Sequence, residues 1–203
     1  MLHSSGVSGL KVSARDQSAT RLDKPSMSGS GIQTETLELV VREPGEVRTW
    51  VKSISASERA EISADWLARL QATTSADPWT CGFAMVHRDS HAVVGICGYK
   101  SPPDRDGIVE IAYGVDPEHQ GRGYATEAAR GMVAYAFATG LVRIVRAHTM
   151  PEPNASTHVL TKCGFEHLGE VIDPEDGLVW RWEIREEPAR ASAGANRSVT
   201  PRM

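Results

Sequence analysis

Residues 107–130 run an alternating strand into a glycine-rich turn and then into an amphipathic helix, and no other stretch restricts the fold as tightly. In the strand, Val109, Ile111, Tyr113 and Val115 point to one face, while Glu110, Ala112 and Gly114 point to the other. A carboxylate therefore shares a face with two small residues, and Gly114 inside a strand suggests a bulge or a close approach by a ligand. In the helix, Ala125, Ala128, Ala129, Met132, Val133 and Ala136 recur at helical spacing until Gly140 offers a left-handed stop. Between the two, Gly121 and Gly123 lack a Cβ, so the chain can turn sharply and gather consecutive N–H groups at the positive end of the helix. A diphosphate is the guest that suits such a turn.

The turn reads Gln120-x-x-Gly123-x-Ala125, which resembles the Gln/Arg-x-x-Gly-x-Gly/Ala signature of the GCN5-related N-acetyltransferases (GNAT). A second segment, from His148 to Phe165, is similar to the Asn...Ser...Lys-x-Gly-Phe segment of the branch that includes the ribosomal-protein N-terminal acetyltransferases. Counting back from Gly164 and Phe165 puts Ser156 on the family serine, with Asn154 two residues before it where many members have three. Two motifs in the expected order, within a likeness spanning residues 34–186, are more specific than either alone.

This resemblance implies acetyl-CoA as cosubstrate, contacted by Val115, Gln120, Gly121, Arg122, Gly123, Tyr124, Ala125, Thr126, Asn154 and Ser156. It also implies the architecture: a mixed, mostly antiparallel α/β sheet, splayed after its fourth strand and flanked by about four helices. Patterning by itself gives only α/β with an antiparallel hairpin section.

At 203 residues and 22.0 kDa the chain can form one domain with a real core, and 40% hydrophobic with 24% charged residues is a globular composition. A net charge of −4 gives no general attraction to nucleic acid or to an anionic membrane. No apolar run is long enough to span a bilayer and the start of the chain lacks a signal-peptide pattern, so the expected location is the cytoplasm. Cys81, Cys97 and Cys163 read as buried thiols, and no metal site is expected, since His87 and His91 flank a turn instead of sharing a helix face. A monomer or a homodimer is expected.

Residues 1–33 and 187–203 are rich in small and polar residues and read as disordered tails around a domain at 34–186. Within it, a first strand at 36–41 precedes a helical stripe of Val47, Trp50, Val51 and Ile54. Ser55 and Glu58 resemble a capping box opening a second helix, with Ile62, Trp66, Leu67 and Leu70 inward. Strands at 82–87 and 92–99 form a hairpin. After the glycine-rich turn and its helix come a strand near 142–149, a short helix ending at Gly164, and a final hairpin through 173–177.

An amine that attacks a thioester must be neutral. For a lysine of pKa ~10.4 that costs roughly 4.6 kcal/mol at pH 7, against about 1.4 for an α-amine near 8. Glu110 is the candidate base, directly or through a water, and its structural alternative is a strand carboxylate paired with an arginine. A backbone N–H released by the splay at 114–116 is the candidate oxyanion donor. Ser156 is the candidate proton or hydrogen-bond donor to the departing thiolate, or else the cap of its helix. Many relatives use a tyrosine in that helix as the acid; residues 154–163 contain none. Tyr124 reads as packing, Arg122 as a phosphate contact or an idle surface cation, Trp50 and Trp66 as core, and Trp79 as a possible border of the substrate.

The resemblance implies transfer to a primary amine, with a protein N-terminus, an amino acid and a small amine as the candidate acceptors. The competing reading is a non-catalytic acyl-CoA sensor, which would tolerate loss of Glu110. A dinucleotide-binding oxidoreductase fails on pattern, because Thr126 stands where the third glycine belongs and the strands form no βαβ unit.

Overall fold

The computed structural model describes residues 31–60, 62–174 and 176–186. The expected tails lie outside these residues apart from 31–33, where Ile32–Gln33 forms a short strand, β1. It pairs with β2 (Leu37–Val41), and β3 (Phe83–His87), β4 (Val93–Tyr99) and β5 (Ile108–Val115) extend the ladder, every pair antiparallel. β6 (Ile144–Thr149) then lies parallel to β5, and β7 (Glu166–Asp173) and β8 (Gly177–Arg185) complete an eight-stranded sheet in the order β1-β2-β3-β4-β5-β6-β8-β7. This is the mixed, mostly antiparallel sheet that the resemblance implied.

The splay lies where it was expected, after the fourth strand counted from β2. β5 pairs with β6 only at Ile108, Val109 and Glu110, opposite Ile144, Val145 and Arg146, although both strands continue beyond these pairs. The bulge suggested at Gly114 is not there, since that residue sits in regular register opposite Ile96. The irregularity lies instead between Met85 and Val86, against β4. A Cβ on Gly95 would fall 2.2 Å from the Gly114 carbonyl, so the close approach at Gly114 comes from the neighbouring strand.

Six α-helices are described, more than the four expected: α1 (Pro44–Ser53), α2 (Ala56–Ala60), α3 (Ala64–Ala72), α4 (Pro78–Cys81), α5 (Tyr124–Ala138) and α6 (Ala155–Lys162). The capping box at Ser55 and Glu58 forms, with bonds of 2.9 and 3.2 Å, but it opens only the five residues of α2. α2 buries no side chain, so nothing extends it, and the inward residues Trp66 and Leu70 belong to a restarted helix, α3. The one-turn α4 follows Asp77, whose side chain caps it by accepting from the Trp79 N–H.

α5 lays Tyr124, Ala128, Ala129, Met132 and Ala136 against Leu37, Leu39, Phe83, Met85, Val109 and Ile111 to form the main core. Its alanines let the helix axis come close to the sheet. A second cluster of Val47, Val51, Trp66, Leu70 and Cys81 joins α1, α3 and α4. Trp66 is buried as expected and donates to the Thr80 carbonyl, whereas Trp50 is only half-buried, beneath the Arg42 guanidinium. Cys81 and Cys97 are buried free thiols and Cys163 is half-buried. No helix among the described residues is long and apolar enough to cross a membrane.

Glu127, in the first turn of α5, fastens the helix to the chain's first strands. Its carboxylate accepts from Thr34 Oγ1 (2.5 Å), Thr36 N (2.6 Å), Thr36 Oγ1 (2.6 Å) and Leu37 N (2.9 Å). Partial burial pushes this carboxyl upward, but the hydrogen bonds from Thr34, Thr36 and Leu37 outweigh it and hold the group below its ordinary value. A depressed folded-state pKa stabilises fully above the unfolded carboxylate pKa and is lost as pH falls through the folded one. Glu127→Gln is expected to cost about 2 kcal/mol at pH 7 and to flatten the loss of stability below about pH 4, as read by denaturant melts across pH.

Candidate active site

After β5 the chain passes through a single 3-10 turn, Pro117–His119, and reaches Gly121 (φ 76°) and Gly123 (φ 87°), both left-handed. A Cβ at either would touch nothing within 4 Å, so the dihedral and not crowding calls for glycine. The first bond of α5 runs from the Glu127 N–H to the Gly123 carbonyl at 3.1 Å. The N–H groups of Tyr124, Ala125 and Thr126 therefore precede any helical acceptor and sit at the positive end of the macrodipole. Gln120 Nε2 donates to the Val115 carbonyl at 2.9 Å, folding the turn back onto the strand it leaves. Arg122 is exposed, its Nη2 3.4 Å from the Glu118 carbonyl, while Tyr124 is buried edge-on to His87 at 5.7 Å, the packing role expected for it.

Strand alternation orients the open edge of β5. Lys100 N–H bonds the Glu110 carbonyl and Asp116 N–H bonds the Val94 carbonyl, so the even-numbered residues face β4. The backbone groups of Ile111, Tyr113 and Val115 consequently face the side where β6 has parted. Within the stretch expected to hold an oxyanion donor, Asp116 is thus spent, and the Val115 N–H is the one directed into the gap.

α6 begins across this gap. Asn154 is its N-cap: Oδ1 accepts from Thr157 N at 3.1 Å, and Thr157 Oγ1 accepts from Asn154 N at 3.0 Å. The alternative in which Ser156 caps this helix is therefore corrected, since the capping position lies two residues earlier. Asn154 Nδ2 also bonds the Glu152 carbonyl, so the carboxamide is engaged within the chain at both ends. Ser156 lies in the first turn, and its hydroxyl makes no hydrogen bond among the described residues. Its carbonyl lies 3.5 Å from the Tyr113 hydroxyl. Tyr113 thus reaches the first turn of α6 from β5, and burial pushes its phenol well above its ordinary value.

Glu110 lies on the face of β5 opposite α5. Its Oε1 is 2.7 Å from Lys100 Nζ and 3.2 Å from His148 Nδ1. Lys100 Nζ also lies 3.2 Å from Asp176 Oδ2, and His148 Nδ1 lies 3.7 Å from Asp173 Oδ2. Arg181 Nε donates to His148 Nε2 at 3.4 Å. Nδ1 approaches Glu110 off the line of a formed hydrogen bond. Burial pushes the Glu110 carboxyl upward, but His148 and the Lys100 ammonium outweigh it and hold the group below its ordinary value. The arginine envisaged as a structural partner is replaced by a lysine and a histidine, which sequence reasoning did not pair with Glu110.

A pocket of about 340 Å³ opens beside this carboxylate, lined by Ser63, Asp65, Trp66, Arg69, Lys100, Ser101, Glu110, Asp173 and Pro174. Trp66 and not Trp79 borders it; Trp79 packs on Tyr99 at 4.5 Å and on Tyr135 at 6.0 Å. Among the described residues no group of three or more His, Cys, Asp or Glu could hold a metal.

A family model for the acetyltransferase (GNAT) domain matches residues 33–166. An uncharacterized N-acetyltransferase of Bacillus licheniformis is 28% identical over 93 residues, covering 46% of this chain and 52% of its own length. YjdG of Bacillus subtilis, also an uncharacterized N-acetyltransferase, is 28% identical over 99 residues, covering 49% of this chain and 56% of its own. The chain thus spans about half the length of the curated relatives it matches. The solved structure of RimL, a ribosomal-protein α-N-acetyltransferase in complex with coenzyme A, superposes with a TM-score of 0.58 at 14% identity. That superposition covers 77% of this chain and 98% of RimL, and it speaks to the fold.

Gly123→Ala is expected to cost about 1–2 kcal/mol in denaturant melts, because alanine must enter the left-handed region there. A loss below a few tenths would mean that the turn relaxes to another shape.

Proposed function

The chain belongs to the GNAT acetyltransferase family, and on that premise we propose that it is an acetyl-CoA-dependent N-acetyltransferase. The acetyl group moves to a primary amine by direct attack in a ternary complex. The observation that carries this reading is the meeting of two sets of backbone donors, the unpaired N–H groups heading α5 and the open edge of β5 where β6 has parted. The first set suits a diphosphate, with Gly121, Arg122, Gly123, Ala125 and Thr126 around it. The second set suits an extended pantetheine arm lying where a strand would otherwise pair.

In this proposal the amine nitrogen attacks the thioester carbon, the Val115 N–H stabilises the oxygen as it becomes negative, and the carbon–sulfur bond breaks. The amine's proton goes to Glu110, directly or through a water, and the thiolate takes its proton or a hydrogen bond from Ser156, with Tyr113 alongside. Because Lys100 and His148 hold Glu110 ionised, it is a weak base. It therefore suits acceptors that lose a proton readily: an α-amine near pKa 8 needs only about 1.4 kcal/mol at pH 7, a lysine side chain roughly 4.6. Cys163 takes no part, since burial pushes its thiol upward and weakens it as a nucleophile.

Free-thiol release from acetyl-CoA, run against a panel of N-terminal peptides, amino acids, polyamines and aminoglycosides, tests the reading. Release with at least one amine class is expected. Glu110→Gln is expected to keep acetyl-CoA affinity in calorimetry while turnover falls about 100-fold. Tight binding of acetyl-CoA with no release in either protein would favour the sensor.

A further inference from the structure

The charges lining the pocket beside Glu110 are of both signs, and they differ in what already balances them. Lys100 is held by Glu110 and Asp176, and the Asp173 carboxylate lies within reach of His148. Arg69, on the last turn of α3, is half-buried, lines the same pocket and forms no ion pair among the described residues. Its Nη2 donates to the Lys100 carbonyl at 2.7 Å, and its Nε is buried with no acceptor at all.

Other arginines that form no ion pair among the described residues are satisfied differently. Arg48 donates to two carbonyls and Arg59 to three, so those guanidiniums serve as struts between loops. Arg69 makes one such bond, and with Nε closed off from solvent it is the outer, Nη edge of its guanidinium that has no acid partner among the described residues. A desolvated guanidinium without a counter-ion is costly, and the fork matches a planar carboxylate bidentately. Asp65, one turn earlier on α3, is exposed at the rim and is not paired with it.

Resting on the acetyltransferase reading above, we propose that Arg69 receives a carboxylate of the acceptor, so that the acceptor class is an amine carrying a nearby carboxylate, as in a free amino acid. The reacting amine then faces the inner wall at Glu110 and Asp173, while the anion sits toward α3. This arrangement uses the lining cation that has no counter-ion among the described residues and leaves the Lys100 and His148 contacts intact. A polyamine would meet the same inner carboxylates but would bring positive charge to Arg69.

The test compares an amino acid, its α-amide and spermidine as acceptors by thiol release, in the intact protein and in Arg69→Gln and Arg69→Lys. The amide is intrinsically the easier nucleophile, because its amine has the lower pKa, so a preference for the free acid must come from the site. The expected result is a kcat/KM for the acid about ten-fold or more above the amide, expressed in KM, and a ratio near one in Arg69→Gln. Arg69→Lys, which keeps the charge but not the fork, is expected to fall between, and it carries the comparison if the glutamine variant does not fold. Equal or better use of the amide, preference for spermidine, or an unchanged ratio in Arg69→Gln overturns the proposal while the acetyltransferase reading stands. Absence of release with every amine overturns both.

Discussion

Three residue pairs join β5 to β6, and the gap exists because the pairing ends there. Beyond Glu110 and Arg146 the ladder ends, so the backbone groups of Ile111 and Tyr113 and the Val115 N–H have no partner on β6, while the Val115 carbonyl is taken by Gln120. An unpaired edge inside a sheet is a standing cost in unsatisfied donors and acceptors. A ligand with its own amides and a phosphorylated end can supply the missing partners. The arrangement persists because the sheet is anchored on both sides of the gap. α5 and Glu127 tie β5 to the first strands, while the pairing of β6 with β8, including Arg146 with Glu183 at 2.7 Å, holds the second half.

The two faces of β5 then divide the labour. On the face toward α5, Val109 and Ile111 are core, and the glycine turn at the end of the strand delivers the helix head. On the opposite face Glu110 enters a chain of polar contacts from Asp176 through Lys100 to His148 and Arg181. These contacts hold the Glu110 carboxyl below its ordinary value, and in the proposed mechanism such a base favours amines that lose a proton readily. The role proposed for Arg69 would add a demand on what stands beside the amine.

The order of the main strands along the chain, the glycine turn and the positions of α5 and α6 were legible because each rests on local rules, whereas the sheet architecture came from the family resemblance. Gly121 and Gly123 are called for by dihedrals, Ala128 and Met132 by helical spacing, and Gly164 by its left-handed dihedral at the end of α6. Glu110 was legible as a carboxylate on the small-residue face of its strand. Its partners were not, because Lys100 and His148 reach it across strands ten and thirty-eight positions away and only the register brings them together. The same limit hid the Glu127 clamp and the Tyr113 contact with α6. The cap of α6 was misread because Asn154 and Ser156 are both good capping residues, and the decision rests on which one has Thr157 three positions later. The break between α2 and α3 was missed since a capping box marks where a helix starts and says nothing of where its burial ends.

The central claim is that the amides heading α5 and the free edge of β5 together receive coenzyme A. Amide resonances followed during titration with coenzyme A test it most directly. The account predicts that the largest shifts fall on Gly121, Gly123, Tyr124, Ala125 and Thr126, with a second group at Tyr113 and Val115. Binding that leaves these amides unmoved while shifting others, or no binding by folded protein, would contradict it.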